Sequence, residues 1–287
     1  MTPYRETLHA LASLYPQGEA SALARMVFEE RFGLSQTDLL LGKDSNLSAN
    51  DLAELHNIVA RLQKNEPIQY VLGETAFCGL HIGVGPGVLI PRPETEELVE
   101  WITAHYAGQQ PPLRVLDIGT GSGCIALALA SRGFHVEAWD VSPEALTIAR
   151  GNAERLHLDV QFVQEDILQA KATDACYDIL VSNPPYICQR EACDMERNVL
   201  DHEPALALFV PDDDPLLFYR AIARFAHEAL TPGGCLFFEI NRAYSYETKC
   251  MLEREGFIDI ELRNDQFNNP RMLKATKPHK QTAVPQL

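Results

Sequence analysis

Apolar residues recur at helical spacing through the first part of the chain: Leu8, Leu11 and Leu14, then Leu23, Met26 and Val27, then Leu52, Leu55, Val59 and Leu62. Short loops separate these runs, so residues 1–66 read as a small helical domain, with Ser48 and Asp51 placed as a capping-box start for its last helix. It carries no chemical motif, which leaves two readings: a substrate-docking domain or a plain structural extension. From Pro67 to Pro91 the period shortens. Leu80, Ile82 and Val84 alternate with His81, Gly83 and Gly85, which predicts a β-hairpin linker over 67–91. Pro93 then suits a first helical position, with Glu94, Glu96 and Glu97 favoured at the positive end of the helix dipole and Leu98, Val99 and Ile102 as the buried face.

After a loop at Gln109 to Pro112, strand and helix patterns alternate, which predicts an α/β domain over 92–277 built on a mostly parallel sheet with helices on both faces. Seven strands are expected near 113–118, 135–140, 159–163, 177–182, 232–240, 256–262 and 269–275. Helices are expected near 122–131, 143–156, 214–230 and 244–254, with Ser142-Pro143 and Asp214-Pro215 as starts. No helix separates the last two strands, so an antiparallel pair should close the sheet. Residues 278–287 read as a tail.

Length and a hydrophobic content of 46% over 287 residues allow real cores in two domains. No apolar run approaches the roughly 18 residues of a membrane span, and the start of the chain lacks a signal-peptide pattern, so a cytoplasmic protein without membrane contact is expected. The cysteines at 78, 124, 176, 188, 193, 235 and 250 form no Cys-x-x-Cys, which suggests thiols in a reducing compartment and no metal. The formal charge of −16, with no clustered Lys and Arg, argues against direct nucleic-acid binding and suits a basic protein partner.

Candidate chemistry lies at the ends of the predicted strands. Val115-Leu-Asp-Ile-Gly-Thr-Gly-Ser-Gly123 is a strand running into a glycine turn and a helix. Gly119, Gly121 and Gly123 let the backbone approach a ligand, their spacing differs from the dinucleotide G-x-G-x-x-G, and Asp117 ahead of them suits a cationic ligand. Asp140, about twenty residues on, can accept from ribose hydroxyls. Asp166 can accept from an adenine amine and Ile167 can pack on the base. Together these place a nucleoside across the carboxyl edge of the sheet.

The fourth strand of that sheet runs into Val181-Ser182-Asn183-Pro184-Pro185-Tyr186-Ile187. Each proline fixes its own φ, constrains the residue before it and offers no N–H. The turn therefore presents acceptors, the Asn183 side-chain oxygen and the Pro184 carbonyl, beside the Tyr186 ring. Such a turn suits a planar NH2-bearing group, either a carboxamide or the exocyclic amine of a base.

Glycine turn, Asp140 and Asn-Pro-Pro-Tyr together resemble the class I S-adenosylmethionine-dependent methyltransferases that act on nitrogen. Within that class the chain is similar to the release factor glutamine methyltransferase family over residues 67 to 275. Pro67-Ile-Gln-Tyr-Val-Leu-Gly73, Phe77, Val88-Leu-Ile-Pro-Arg-Pro-Glu-Thr-Glu96 and Glu203-Pro-Ala-Leu206 carry the likeness. The resemblance implies a Rossmann-like seven-stranded methyltransferase sheet and S-adenosylmethionine as methyl donor, with S-adenosylhomocysteine as product and no metal. It implies that Asp117, Gly119, Thr120, Gly121, Ser122, Gly123, Asp140, Asp166, Ile167 and Asn183 contact the cofactor. Asn183, Pro184, Pro185 and Tyr186 would hold the substrate amide, with Phe77 lining the glutamine pocket. The substrate implied is the Gly-Gly-Gln glutamine of class I peptide chain release factors, met by a monomeric enzyme. Asn241, where the family usually has glycine, and Ile167, where some members carry an aromatic, are departures that bear on cofactor packing. Two rival readings remain: an adenine-N6 methyltransferase on DNA or RNA, which the acidic charge disfavours, and a catalytically silent docking module, which an intact Asn-Pro-Pro-Tyr disfavours.

Overall fold

Seven strands alternate with helices from Arg114 onward and assemble into one sheet: β1 Arg114–Ile118, β2 His135–Asp140, β3 Val160–Gln164, β4 Tyr177–Ser182, β5 Leu230–Glu239, β6 Ile258–Asn264 and β7 Pro270–Thr276. The spatial order is β6-β7-β5-β4-β1-β2-β3. β1 to β5 pair in parallel, and β7 lies antiparallel between β5 and β6. This is a Rossmann-like sheet with the antiparallel closing pair expected from the missing helix. The structure is a computed structural model describing residues 1–109, 112–171, 174 and 176–279. The expected tail beyond 279 and the Gln110-Pro111 part of the expected loop lie outside the described residues.

The chain forms two units, Met1–Thr75 with Glu196–His202, and Ala76–Met195 with Glu203–Leu287. In the first, helices Pro3–Leu11, Gln17–Met26 and Ala49–Leu62 share a core in which Leu11, Val27, Phe28, Leu55 and Leu62 are buried. Ser48 accepts from the Asp51 N–H while Asp51 accepts from the Ser48 N–H, so both ends of the capping box are closed. Leu14 and Met26, placed on the buried face by periodicity, are exposed: the first helix ends at Leu11, and a π-helical turn over Val27–Arg31 follows directly on Met26.

In the second unit the strands β1 and β4 are buried on both faces, as central parallel strands require. The helix Leu217–Ala229 covers one face through Ile222, Ala223 and Ala226. The helix Pro93–His105 buries Leu98, Val99 and Ile102 as its sequence predicts. The start expected at Asp214-Pro215 is delayed to Leu217. Leu217 N–H donates to the Asp214 carbonyl in a tighter turn, and the Asp214 carboxylate pairs with Arg220. Among the described residues no helix is long and apolar enough to cross a membrane.

Candidate active site

The strand order reverses between β1 and β4, which leaves a crevice outside their carboxyl ends. A cavity of about 440 Å³ opens there, a size suited to a small-molecule ligand. Ser182 Oγ donates to the Ile118 carbonyl at 2.6 Å and ties the two strand ends together.

On the β1 side the chain turns at once. The Gly119 and Thr120 N–H groups donate to the Trp139 carbonyl, and Gly121 N–H donates to Asp140 Oδ2 at 2.8 Å. Gly119 and Gly121 have φ of +75° and +54°, and a Cβ at either would project into open space. Gly123, at φ +81°, serves packing instead, since a Cβ there would meet Ala149 and Leu127 at 3.2 Å. The first two glycines thus leave a cradle, and the third seats the helix Cys124–Ala130 against the helix Pro143–Leu156.

Asp117, expected to face a cationic ligand, is fully buried beneath the turn and does not line the cavity. It accepts from Thr120 Oγ at 2.6 Å, while its Oδ1 has no hydrogen-bond partner. Burial pushes its carboxyl up to about 7, the Thr120 bond and the Ala126 N–H pulling the other way and the Asp140 charge adding to the rise. Its effect on the cavity passes through Thr120.

Gly119, Thr120, Gly121, Ser122, Asp140, Asp166, Ile167, Asn183, Pro184 and Pro185 line the one cavity, so predicted residues from the ends of four strands are brought together. Asp140 accepts from Ser142 N–H at 2.9 Å in addition to Gly121, and Ser142 caps the next helix through Ala145 N–H. Burial raises the Asp140 carboxyl and these backbone donors oppose the rise. Asp166 closes its own turn, accepting from Leu168 N–H and Gln169 Nε2.

Phe77 and Tyr186 do not line the cavity. Phe77 is 1% exposed and belongs to the core. Tyr186 turns its hydroxyl inward to donate to Glu239 Oε1 at 3.1 Å. Glu239 Oε2 accepts from Thr95 Oγ at 2.6 Å, and Asn183 Nδ2 donates to Thr95 Oγ at 3.3 Å. Among the described residues no group donates to the Asn183 side-chain oxygen or the Pro184 carbonyl. Both oxygens are therefore without a protein donor among the described residues.

Asn241, expected to alter cofactor packing, does not line the cavity. It caps a short turn by accepting from Ala243 N–H and donates to the Tyr186 carbonyl at 3.0 Å, so its effect falls on the acceptor turn. Ile167, the other departure, does line the cavity and also packs against the sheet core. Glu203 finds its partners only in the fold. It accepts from Ile90 N–H at 3.0 Å and Arg92 Nη2 at 2.6 Å, fastening the Glu203-Pro204 segment to the Pro91-Arg92 wall of the cavity. Both residues lay in stretches singled out for resemblance; only the fold shows that they pair.

Among the described residues no group of three or more His, Cys, Asp or Glu could hold a metal ion. Family models match twice: the methyltransferase small domain over residues 95–202 and the PrmC N-terminal domain over residues 4–73. The chain is 48% identical over 271 residues to a release factor glutamine methyltransferase of Bacteroides thetaiotaomicron, covering 93% of this chain and 96% of that one. It is 42% identical to the release factor glutamine methyltransferase of Flavobacterium psychrophilum, covering 93% and 95%. Among solved structures, a Thermus thermophilus 16S rRNA N2 G1207 methyltransferase in complex with AdoMet and guanosine shares the fold, with a TM-score of 0.52 and 22% identity over 71% of this chain and 49% of that one. With relatives this similar along nearly its whole length, the chain belongs to the release factor glutamine methyltransferase family.

Proposed function

We propose that the protein transfers a methyl group from S-adenosylmethionine to the side-chain amide nitrogen of the glutamine in the Gly-Gly-Gln motif of class I peptide chain release factors. The observation that carries this reading is that one cavity is lined by both the glycine cradle and the acceptor turn. Gly119 and Gly121 leave room for the methionine and ribose end, Asp140 accepts from the ribose, and Asp166 with Ile167 flanks the adenine. The bound cofactor supplies an electrophilic methyl group on sulfur and leaves as S-adenosylhomocysteine.

The protein's own task is to make an amide nitrogen react. Its lone pair is delocalised into the carbonyl, so attack requires the two N–H bonds to be held by acceptors that favour charge building on nitrogen. Asn183 Oδ1 and the Pro184 carbonyl are those acceptors, each contributing about 1–3 kcal/mol if correctly placed. Holding nitrogen in line with the methyl group contributes more, up to about 7–11 kcal/mol. Pro184 and Pro185 cannot move without moving the backbone, so the Pro184 carbonyl is fixed before substrate arrives. The proton leaves the methylated nitrogen for water after transfer, and no residue need act as a general base.

The helical domain of residues 1–66 serves as the docking domain for the protein substrate, 67–91 as its linker and 92–277 as the catalytic domain. The enzyme acts in the cytoplasm as a monomer. Incubation with S-adenosylmethionine and purified release factor, followed by mass spectrometry, tests the reading: a single added methyl on the Gly-Gly-Gln glutamine is expected. Label entering DNA or ribosomal RNA and sparing the factor would overturn it.

A further inference from the structure

Behind the acceptor turn, the helix Pro93–His105 and strand β5 bury two polar residues that the reaction above does not use. Thr95 is 2% exposed and Glu239 1%. Thr95 Oγ stands between Glu239 and the turn, 2.6 Å from Glu239 Oε2 and 3.3 Å from Asn183 Nδ2. A hydroxyl owns one proton, and an ionised carboxylate can only accept. The Thr95 proton therefore goes to Glu239, and Thr95 has only a lone pair left for Asn183. That lone pair selects the NH2 end of the Asn183 amide, which turns the oxygen end to the cavity.

A proton on Glu239 Oε2 reverses the chain. Glu239 then donates to Thr95, the Thr95 proton points at Asn183, and the amide that satisfies it is flipped, with NH2 facing the cavity. An NH2 group there cannot accept from a substrate amide. We propose that Thr95 and Glu239 are positioning residues that decide which end of the Asn183 amide meets the substrate, so that methyl transfer requires Glu239 to be ionised. The inference rests on the acceptor role of Asn183 proposed above.

The surroundings of Glu239 bear on when it ionises. Burial raises its carboxyl above the ordinary carboxylate range; the bonds from Thr95 and Tyr186 and the cation of Arg271 on β7 pull the other way, and Glu94 adds to the rise. Arg271 is shared with Asp265, 3.4 Å away. Tyr219 Oη donates to the Glu239 main-chain carbonyl at 3.3 Å and leaves the side chain alone. Asn241, through the Tyr186 carbonyl, holds in place the backbone of the residue whose hydroxyl serves Oε1.

The test measures methyl transfer to release factor between pH 5.5 and 8.5, with cofactor affinity by calorimetry and melting temperature alongside. Thr95→Val, close in volume, removes the relay. Its kcat should fall about 10–100-fold at pH 8 while cofactor affinity stays within threefold, and Thr95→Ser should restore kcat to within about threefold of wild type. Wild-type and Thr95→Ser kcat should fall on the acid side; Glu239→Gln, which has no proton to gain, and Thr95→Val should lack that limb. Wild-type kcat in Thr95→Val, a Thr95→Ser loss equal to that of Thr95→Val, a flat wild-type profile, or an acid limb kept in both Glu239→Gln and Thr95→Val each overturns the relay. Asn183→Ala serves as the control: if it transfers as fast as wild type, the acceptor reading itself fails, whatever Thr95 does.

Discussion

Asn152 Oδ1 accepts from the Gly83 N–H at 2.7 Å while its Nδ2 donates to the Gly83 carbonyl at 2.9 Å, so a helical side chain acts as a strand partner to the hairpin. The same Nδ2 donates to the Ser122 carbonyl at 2.9 Å in the glycine turn. A Cβ on residue 83 would lie 2.7 Å from Asn152 Oδ1, which is why glycine stands there. One buried amide thus joins the end of the strand Leu80–Gly83 to the glycine turn. Asn152→Ala leaves three backbone groups without partners and should cost about 2–4 kcal/mol of stability. Asn152→Asp should fare no better, because both carbonyls need a donor. Denaturant unfolding of the two variants checks this, with cofactor affinity falling in parallel.

Asn183→Ala removes an acceptor without touching the cradle. Its kcat should fall at least about 100-fold, the scale of losing one well-placed polar group at a reacting centre. Cofactor affinity, by calorimetry, should largely survive. Turnover comparable to wild type would refute the acceptor role.

Gly121→Ala separates backbone strain from ligand space. Its φ of +54° makes alanine cost about 1–2 kcal/mol. The added Cβ meets no protein atom within 4 Å, so the fold should survive with a melting temperature lowered by only a few degrees. Cofactor affinity should fall more than tenfold, because the methyl group enters the cradle. A variant that melts normally and binds cofactor normally would remove Gly121 from the cofactor's path.

Asp117 predicts a pH dependence of stability. Its folded carboxyl titrates at about 7, above the ordinary 3.8, so the native state binds more protons than the unfolded chain between those values. Stability should fall as pH rises from about 4 to about 7 and level off above, with a slope of up to about 1.4 kcal/mol per pH unit from this one group. Asp140, also raised, adds in the same direction. Melting curves from pH 4.5 to 8 on wild type and Asp117→Asn check the sign: the variant's curve should be flatter.

The strands and the cavity ends were legible because their signals are local. Ser142-Pro143 carries its own cap, alternation marks the hairpin, and Asn183-Pro-Pro-Tyr has few conformations open to it. The ring of Tyr186 was legible beside two acceptors, but not the partner of its hydroxyl, a carboxylate 53 residues on. Thr95 and Glu239 lie 144 residues apart and each looks ordinary alone, a helix-turn threonine and a strand-end glutamate. Asp117 shows a subtler limit: sequence places it beside the glycines but not its depth, and depth decides whether a carboxyl meets ligand or braces a loop.

The helical unit is written in two places along the chain, Met1–Thr75 and Glu196–His202, with the His202 ring N–H donating to the Lys64 carbonyl at 3.3 Å. The second piece lies between the Asn183 turn and Glu203. A gene fusion that exchanged only the first 75 residues would leave that second piece among strangers. The helical unit therefore cannot be exchanged as one continuous piece of coding sequence: its second segment travels with the turn at Asn183 and with Glu203.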